Sequence, residues 1–221
     1  MSNLKKTITL SGGLQYHIKA FRHKTSWQEF KQQLNQFLNQ WNPKSLNLTI
    51  VGPSGGYCLS TEFLNKFENL TCYDLDPLAH WFFYKNHKLK TNWKTQDFFK
   101  HMTENHDSLL FSNLLGQITA TMNSSEIEAH NELLKKYLKK KSWASFHDVY
   151  SWYTNDQKTQ ELEAPKADSD LKAYLKSSLH PHSEVIDHQT QDISNWCSNK
   201  SYFLWPLTPK RTHLIECCFK D

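Results

Sequence analysis

Between Leu46 and Pro77 the chain passes from a short apolar segment through a glycine-rich loop to a second apolar segment that ends in acids. The first segment is Leu46-Asn47-Leu48-Thr49-Ile50-Val51, and the loop is Gly52-Pro53-Ser54-Gly55-Gly56. Residues 57–67 can continue as a helix, with Leu59, Phe63, Leu64 and Phe67 as its apolar positions. Leu70-Thr71-Cys72-Tyr73 then reads as a buried strand stopped by Asp74-Leu75-Asp76-Pro77. A strand, crossover helix and strand in this order join parallel neighbours, and a parallel sheet needs helices on both faces. This stretch therefore commits the chain to an α/β fold.

The alternation continues downstream. Asn92 to Thr95 is a short strand leading to Gln96-Asp97-Phe98-Phe99, and Ser108 to Phe111 is a strand ended by Ser112-Asn113. Ile127 to Lys140 has helical periodicity, and Trp143 to Phe146 is a strand ended by His147-Asp148. From Tyr150 to Pro181 the chain turns polar and reads as an excursion, with a short helix at Leu171 to Leu179. Tyr202 to Trp205 and His213 to Phe219 are strands whose short connection makes them antiparallel. Upstream, Ser11-Gly12-Gly13 marks a turn, Leu14 to Ile18 alternates like a strand, and Trp27 to Trp41 is an amphipathic helix capped by Thr25 or Ser26. The expected fold is a seven-stranded, mostly parallel sheet with an antiparallel C-terminal pair and helices on both faces. Residues 1–45 form an N-terminal extension, and residues 46–221 form the domain, with the polar excursion at about 150–181.

In open α/β sheets ligands bind beyond the carboxyl ends of the parallel strands. That edge collects Gly52 to Gly56, Asp74, Asp97, Asn113 and the His147-Asp148 pair. Glycines let the backbone approach a ligand closely. Asp74 follows Gly52 by 22 residues, the interval at which an acid reaches a ribose held over such a loop.

From about Leu46 to Phe219 the chain resembles the class I S-adenosylmethionine-dependent methyltransferases, on motifs taken in order. Val51 to Gly56 is similar to the glycine-rich first motif, and Tyr73 to Pro77 to the second strand with its ribose acid. Gln96-Asp97-Phe98 resembles the adenine-binding third motif, and Asp107 to Asn113 the fourth, which faces the methyl group. The closing strand pair resembles that family's antiparallel hairpin. The resemblance implies S-adenosylmethionine as cofactor and methyl transfer to a small molecule. Gly52, Pro53, Ser54, Gly55 and Gly56 would hold the methionine part, Asp74 beside Leu75 the ribose, and Asp97 with Phe98 the adenine. Asn113, His147 and Asp148 would face the acceptor as the catalytic group, and Tyr16, His17 and Arg22 of the extension would close over the substrate.

Two departures matter. Ser54 stands where the family places the middle glycine, and Asn113 is followed by Leu114-Leu115-Gly116 rather than a Pro-Pro-aromatic run. The second counts against methylation of DNA bases or glutamine amides. Two other readings stay open. One is a non-catalytic cofactor- or partner-binding module. The other is a serine hydrolase, since residues 52–56 also fit Gly-x-Ser-x-Gly, with Ser54, Asp187 and His213 in triad order.

Composition narrows the partners. Aromatics at 14% argue for a packed core rather than disorder. The net charge is only +4, and Lys135, Lys136, Lys139, Lys140 and Lys141 match the dipole of a helix C-terminus, so no nucleic-acid partner is expected. Neither a signal peptide nor a membrane-spanning run is read, so a cytoplasmic protein without a membrane partner is expected. The five cysteines lack Cys-x-x-Cys spacing and read as reduced thiols. His180, His182 and His188 lack a convincing completion of a ligand set, so no metal is expected. The oligomeric state is not encoded in any of these features.

Overall fold

The computed structural model describes residues 13–102, 106–119, 122–153, 162–166, 169–179, 183–190, 193–197 and 199–221. The turn residues Ser11 and Gly12 and the histidines His180 and His182 lie outside them.

The sheet runs β3-β2-β1-β4-β5-β8-β7. Its strands are β1 (Asn47–Val51), β2 (Asn69–Tyr73), β3 (Asn92–Lys94), β4 (Ser108–Ser112), β5 (Ser142–Tyr153), β7 (Asn199–Thr208) and β8 (Arg211–Lys220). An eighth short strand, β6 (Val185–Asp187), pairs with β5 off this path, so the expected seven-stranded sheet gains one strand. The β1–β2, β1–β4, β2–β3 and β4–β5 pairs are parallel, whereas β5–β8 and β7–β8 are antiparallel. Chain order reverses between β1 and β4, which creates the topological switch point where a ligand crevice opens.

The helices are α1 (Gly13–Arg22), α2 (Gln28–Leu38), α3 (Thr61–Leu64), α4 (Ala79–His87), α5 (Leu115–Thr119), α6 (Ser124–Leu138) and α7 (Leu171–Ser178). On one face, α2 lays Phe30, Leu34, Phe37 and Leu38 against Ile50, Phe146, Ile215 and Phe219 of the sheet. On the other, Leu134 and Leu138 of α6 cover Val51, Leu109, Phe111 and Trp143. Asn123 starts α6 with a reciprocal capping box to Glu126, which satisfies two otherwise orphaned backbone donors.

Four local expectations need correction. Leu14 to Ile18 belongs to helix α1 rather than a strand. Its alternation competes with the spacing of Gly13, His17 and Ala20, and burial of those three selects the helix. Helix α2 has Trp27 in its N-cap position without a side-chain cap, so neither Thr25 nor Ser26 caps it. The helix expected over 57–67 is only the single turn α3, begun by the Ser60 side chain. Strand β5 does not stop at Phe146 but stays buried through Trp152. The thiols differ too: Cys197 and Cys218 pair as a disulfide, and Cys58, Cys72 and Cys217 are free and buried. Sequence spacing conceals that pair because β7 returns beside β8.

Candidate functional site

A cavity of about 300 Å³ opens at the carboxyl ends of β1, β2 and β4. Its floor is the loop after β1. Gly52 has φ +70 and Gly56 φ +67, and between them Ser54 has φ +49. All three lie in the left-handed region, which costs a side-chain-bearing residue about 1–2 kcal/mol. A Cβ on Gly56 would also sit 2.5 Å from His87 Nε2 and 2.8 Å from Phe83, so that position needs glycine on two counts. Ser54 holds its conformation because its N–H donates to Asp74 Oδ2 at 2.7 Å.

Asp74 closes the end of β2 and lines the cavity. Its other oxygen accepts from the Asp76 N–H at 2.9 Å. Burial pushes the Asp74 carboxyl up to about 6, against backbone N–H bonds from Asp76 and Ser54 that favour the anion. Asp76 is turned away, accepting from the Leu78 N–H at 2.9 Å and pairing with His17 Nε2 at 2.9 Å.

Of the residues expected at the cofactor, Gly52, Pro53, Ser54, Asp74, Leu75, Asp97, Phe98 and Asn113 line the cavity. Gly55 and Gly56 shape the loop behind it. Asp97 also caps the 3-10 turn Phe98–His101, accepting from the Phe99 N–H at 3.1 Å. Phe98 is buried and forms an aromatic wall with Tyr73 and Phe111. Asn113 has φ +51, a conformation its short side chain tolerates. Among the cavity-lining residues, Ser54 Oγ and Asn113 Oδ1 are buried without a hydrogen-bond partner.

The acceptor-side expectations need more revision. Tyr16 lines the cavity, but His17 and Arg22 do not. His17 is a buried strut that bonds Asp76 and, at 2.8 Å, the hydroxyl of cavity residue Tyr57. Arg22 is exposed at the end of α1. His147 and Asp148 are not a strand-end pair: β5 continues past them, so they point to opposite faces. His147 lies away from the cavity, 3.0 Å from Ser145 Oγ, and burial brings its imidazole down to about 4.

Asp148 shares its face with cavity residue Phe146 and receives His213 Nδ1 at 2.7 Å. Burial alone would raise Asp148, but the His213 ring, with smaller contributions from His188 and His147, holds it below the usual carboxylate range. His188 Nε2 lies 3.0 Å from Ser151 Oγ, which also accepts from Arg211 Nη2 at 3.2 Å. Ligand atoms of Asp148, His188 and His213 all fall within 4.8 Å of one another. These groups form two separate hydrogen-bonded sets, Asp148 with His213 and Ser151 with His188 and Arg211. None of Asp148, His188 and His213 lines the cavity; a Cβ on Gly116 would lie 2.8 Å from the Asp148 carbonyl oxygen, and the neighbouring Gln117 does line it, which places the cluster behind the cavity wall.

The hydrolase triad is not assembled. Ser54 Oγ has no hydrogen-bond partner, and the His213 Nδ1 expected to meet Asp187 is held by Asp148. Sequence reasoning missed Tyr57, Gln117 and His130 in the cavity and the clustering of His188 and His213 with Asp148. Both clustered histidines come from strand pairings distant in sequence and carry no local signal.

No family model matches the chain, and no curated protein does either. Solved structures do. The DhpI–SAM–HEP complex superposes with a TM-score of 0.50 at 12% identity, over 98% of this chain and 95% of that one. The fold is that of the class I methyltransferases. The N-methyltransferase NodS from Bradyrhizobium japonicum WM9, in complex with S-adenosyl-L-homocysteine, gives 0.48 at 10% identity over 88% of each chain. Magnesium protoporphyrin IX methyltransferase from Synechocystis PCC 6803, with bound SAM, gives 0.48 at 12% over 99% of this chain and 91% of that one.

Proposed function

We propose that this chain binds S-adenosylmethionine in the cavity and transfers its methyl group to a small molecule. The observation that carries the reading is the loop with left-handed residues 52, 54 and 56 held by its Ser54 N–H to the buried Asp74 carboxylate, both lining the switch-point cavity. The loop would take the methionine part, Asp74 the ribose hydroxyls, and Asp97 with Phe98 the adenine. S-adenosylmethionine, when bound, supplies a methyl group made electrophilic by its sulfonium.

The chain's own contribution is largely positioning, which alone can account for much of the rate of an in-line displacement. Asn113 would orient the acceptor, and Tyr16 with Phe146 would shape the apolar side of the pocket and exclude water. Asp148 and His213 stand behind the wall and would act only by holding β5 and β8 in place. His147 has no part in this scheme.

Hydrogen exchange with and without S-adenosylhomocysteine tests the placement. Slower exchange is expected at residues 52–57 and 96–99, with no change at 185–187. Unchanged exchange around the loop at saturating ligand would rule out this cavity as the cofactor site.

A further inference from the structure

Helix α1 touches helix α4 where the His17 ring stacks on Phe82 at 4.1 Å. Each helix leaves an apolar row in solvent next to that contact. On α1 the row is Leu14, Ile18 and Phe21, and Leu14 and Phe21 stand three and four residues from His17. On α4 and its lead-in the row is Leu75, Leu78 and Trp81, and Leu78 stands four residues before Phe82. Residues so spaced are neighbours on a helix surface, so each row flanks the His17–Phe82 contact. Phe21 is 78% exposed and Trp81 56%. Large apolar side chains that adjoin in this way mark an interaction site rather than scattered exposure.

The charges on these two segments are mostly basic. Residues 13–28 and 77–96 carry Lys19, Arg22, Lys24, Lys85, Lys88, Lys90 and Lys94 and no acid, although Glu29 and Asp97 follow directly on them. Lys85 Nζ sits 5.1 Å over the Trp81 ring, which places a cation at the edge of the apolar row. Asp74 and Asp76, just before α4, are buried.

We propose that the α1–α4 face is a peripheral docking surface for an anionic lipid bilayer. Apolar side chains with a bulky aromatic would enter the acyl boundary, and the surrounding lysines would meet lipid phosphates. This is how interfacial helices bind without spanning. Among the described residues no helix is long and apolar enough to cross a membrane, so the contact is to the surface only. Two other occupants fit less well. A second copy of the chain, related by a two-fold axis, would set these cations against themselves. A single-stranded nucleic acid would use the cations and aromatic rings but gain nothing from exposed Leu14, Ile18 and Leu78. Leu75 belongs both to the apolar row and to the cavity wall, so the docked face would turn the cavity mouth toward the lipid.

The test is co-sedimentation of the full chain with vesicles of phosphatidylcholine alone or mixed with phosphatidylglycerol, without added cofactor, so that the result is independent of the methyl-transfer reading. Wild type is expected to pellet with the mixed vesicles and to be released by high salt. The pair Phe21→Ser/Trp81→Ser, with an unchanged thermal transition, should bind roughly tenfold more weakly or worse, since burial of such side chains carries most of the affinity. A second pair, Lys85→Glu/Lys90→Glu, should lose binding to the anionic vesicles by a similar factor. The proposal is overturned if wild type stays in the supernatant with both vesicles, or if both variant pairs bind like wild type. It is also overturned if wild type is instead a dimer that Phe21→Ser/Trp81→Ser dissociates, or if this face binds a single-stranded oligonucleotide and not lipid.

Discussion

Replacing Ser54 with glycine should make the protein more stable, although most substitutions in a cofactor loop do the opposite. At φ +49 the serine backbone sits in the left-handed region, at a cost of about 1–2 kcal/mol that glycine does not incur. Its Oγ is buried without a partner, and an unsatisfied hydroxyl costs about 1–3 kcal/mol. Against these, glycine gives the unfolded chain more freedom, worth about 0.4–1 kcal/mol. The N–H that donates to Asp74 belongs to the backbone and is kept. The net gain is about 2 kcal/mol, and at roughly 2–4 °C per kcal/mol for a chain of this size the midpoint should rise by about 4–8 °C. Circular dichroism melts of the two proteins in one buffer measure it. With saturating S-adenosylhomocysteine the advantage should shrink, because the hydroxyl then has a partner to lose. A midpoint that is unchanged or lowered without ligand would refute the reasoning about the loop.

Three further outcomes follow from the same physics. Gly56→Ala should lower the midpoint by roughly 5–15 °C, since a left-handed alanine costs about 1–2 kcal/mol and its Cβ collides with His87 and Phe83, which adds about 1–3 kcal/mol; a melt within a degree of wild type contradicts this. Glu216, buried and 2.8 Å from the Tyr202 hydroxyl, is raised to about 7 by burial. A carboxyl raised on folding contributes stability that is complete below its unfolded value near 4.5 and is lost as pH rises through about 7, so wild type should lose on the order of 3 kcal/mol over that window relative to Glu216→Gln. Parallel urea titrations at pH 5 and 8 compare them, and an equal change in both proteins would exclude the effect. Asp148→Asn, which replaces the buried carboxylate that His213 meets at 2.7 Å, should lower the midpoint by roughly 3–12 °C, from a charge-assisted bond of about 1.5–3 kcal/mol; an unchanged melt would exclude this structural role.

The parts of the fold legible in the sequence are those whose signals are local. Val51 to Gly56, Tyr73 to Pro77 and the closing hairpin each combine a short apolar run with a glycine, acid or proline stop, and each stands where that pattern places it. Leu14 to Ile18 misled because one short stretch satisfies both a period of two and a helical period, and the deciding fact is what Gly13, His17 and Ala20 pack against. The length of β5 was hidden because Val149 to Tyr153 mixes aromatic and polar residues and adjoins a polar stretch. That error displaced the acceptor side: a strand ending at Phe146 would present His147 and Asp148 together, whereas a continuing strand separates them and gives Asp148 to His213. The cavity-lining residues at the ends of β1, β2 and β4 were readable because they follow strand ends one by one. The clustering of Asp148, His188 and His213 depends on pairing of β5 with β6 and β8, which no stretch of sequence announces.

The most direct measurement is isothermal calorimetry of the purified chain with S-adenosylhomocysteine, run beside Asp74→Ala. The account predicts binding by wild type and a loss of roughly 10²–10⁴-fold in the variant, from two charge-assisted hydrogen bonds of about 1.5–3 kcal/mol each. Wild-type affinity should also weaken as pH falls below about 6, where the Asp74 carboxylate takes up its proton. Equal affinities for the two proteins, or no heat with either at saturating ligand, would contradict the assignment of the cavity to S-adenosylmethionine.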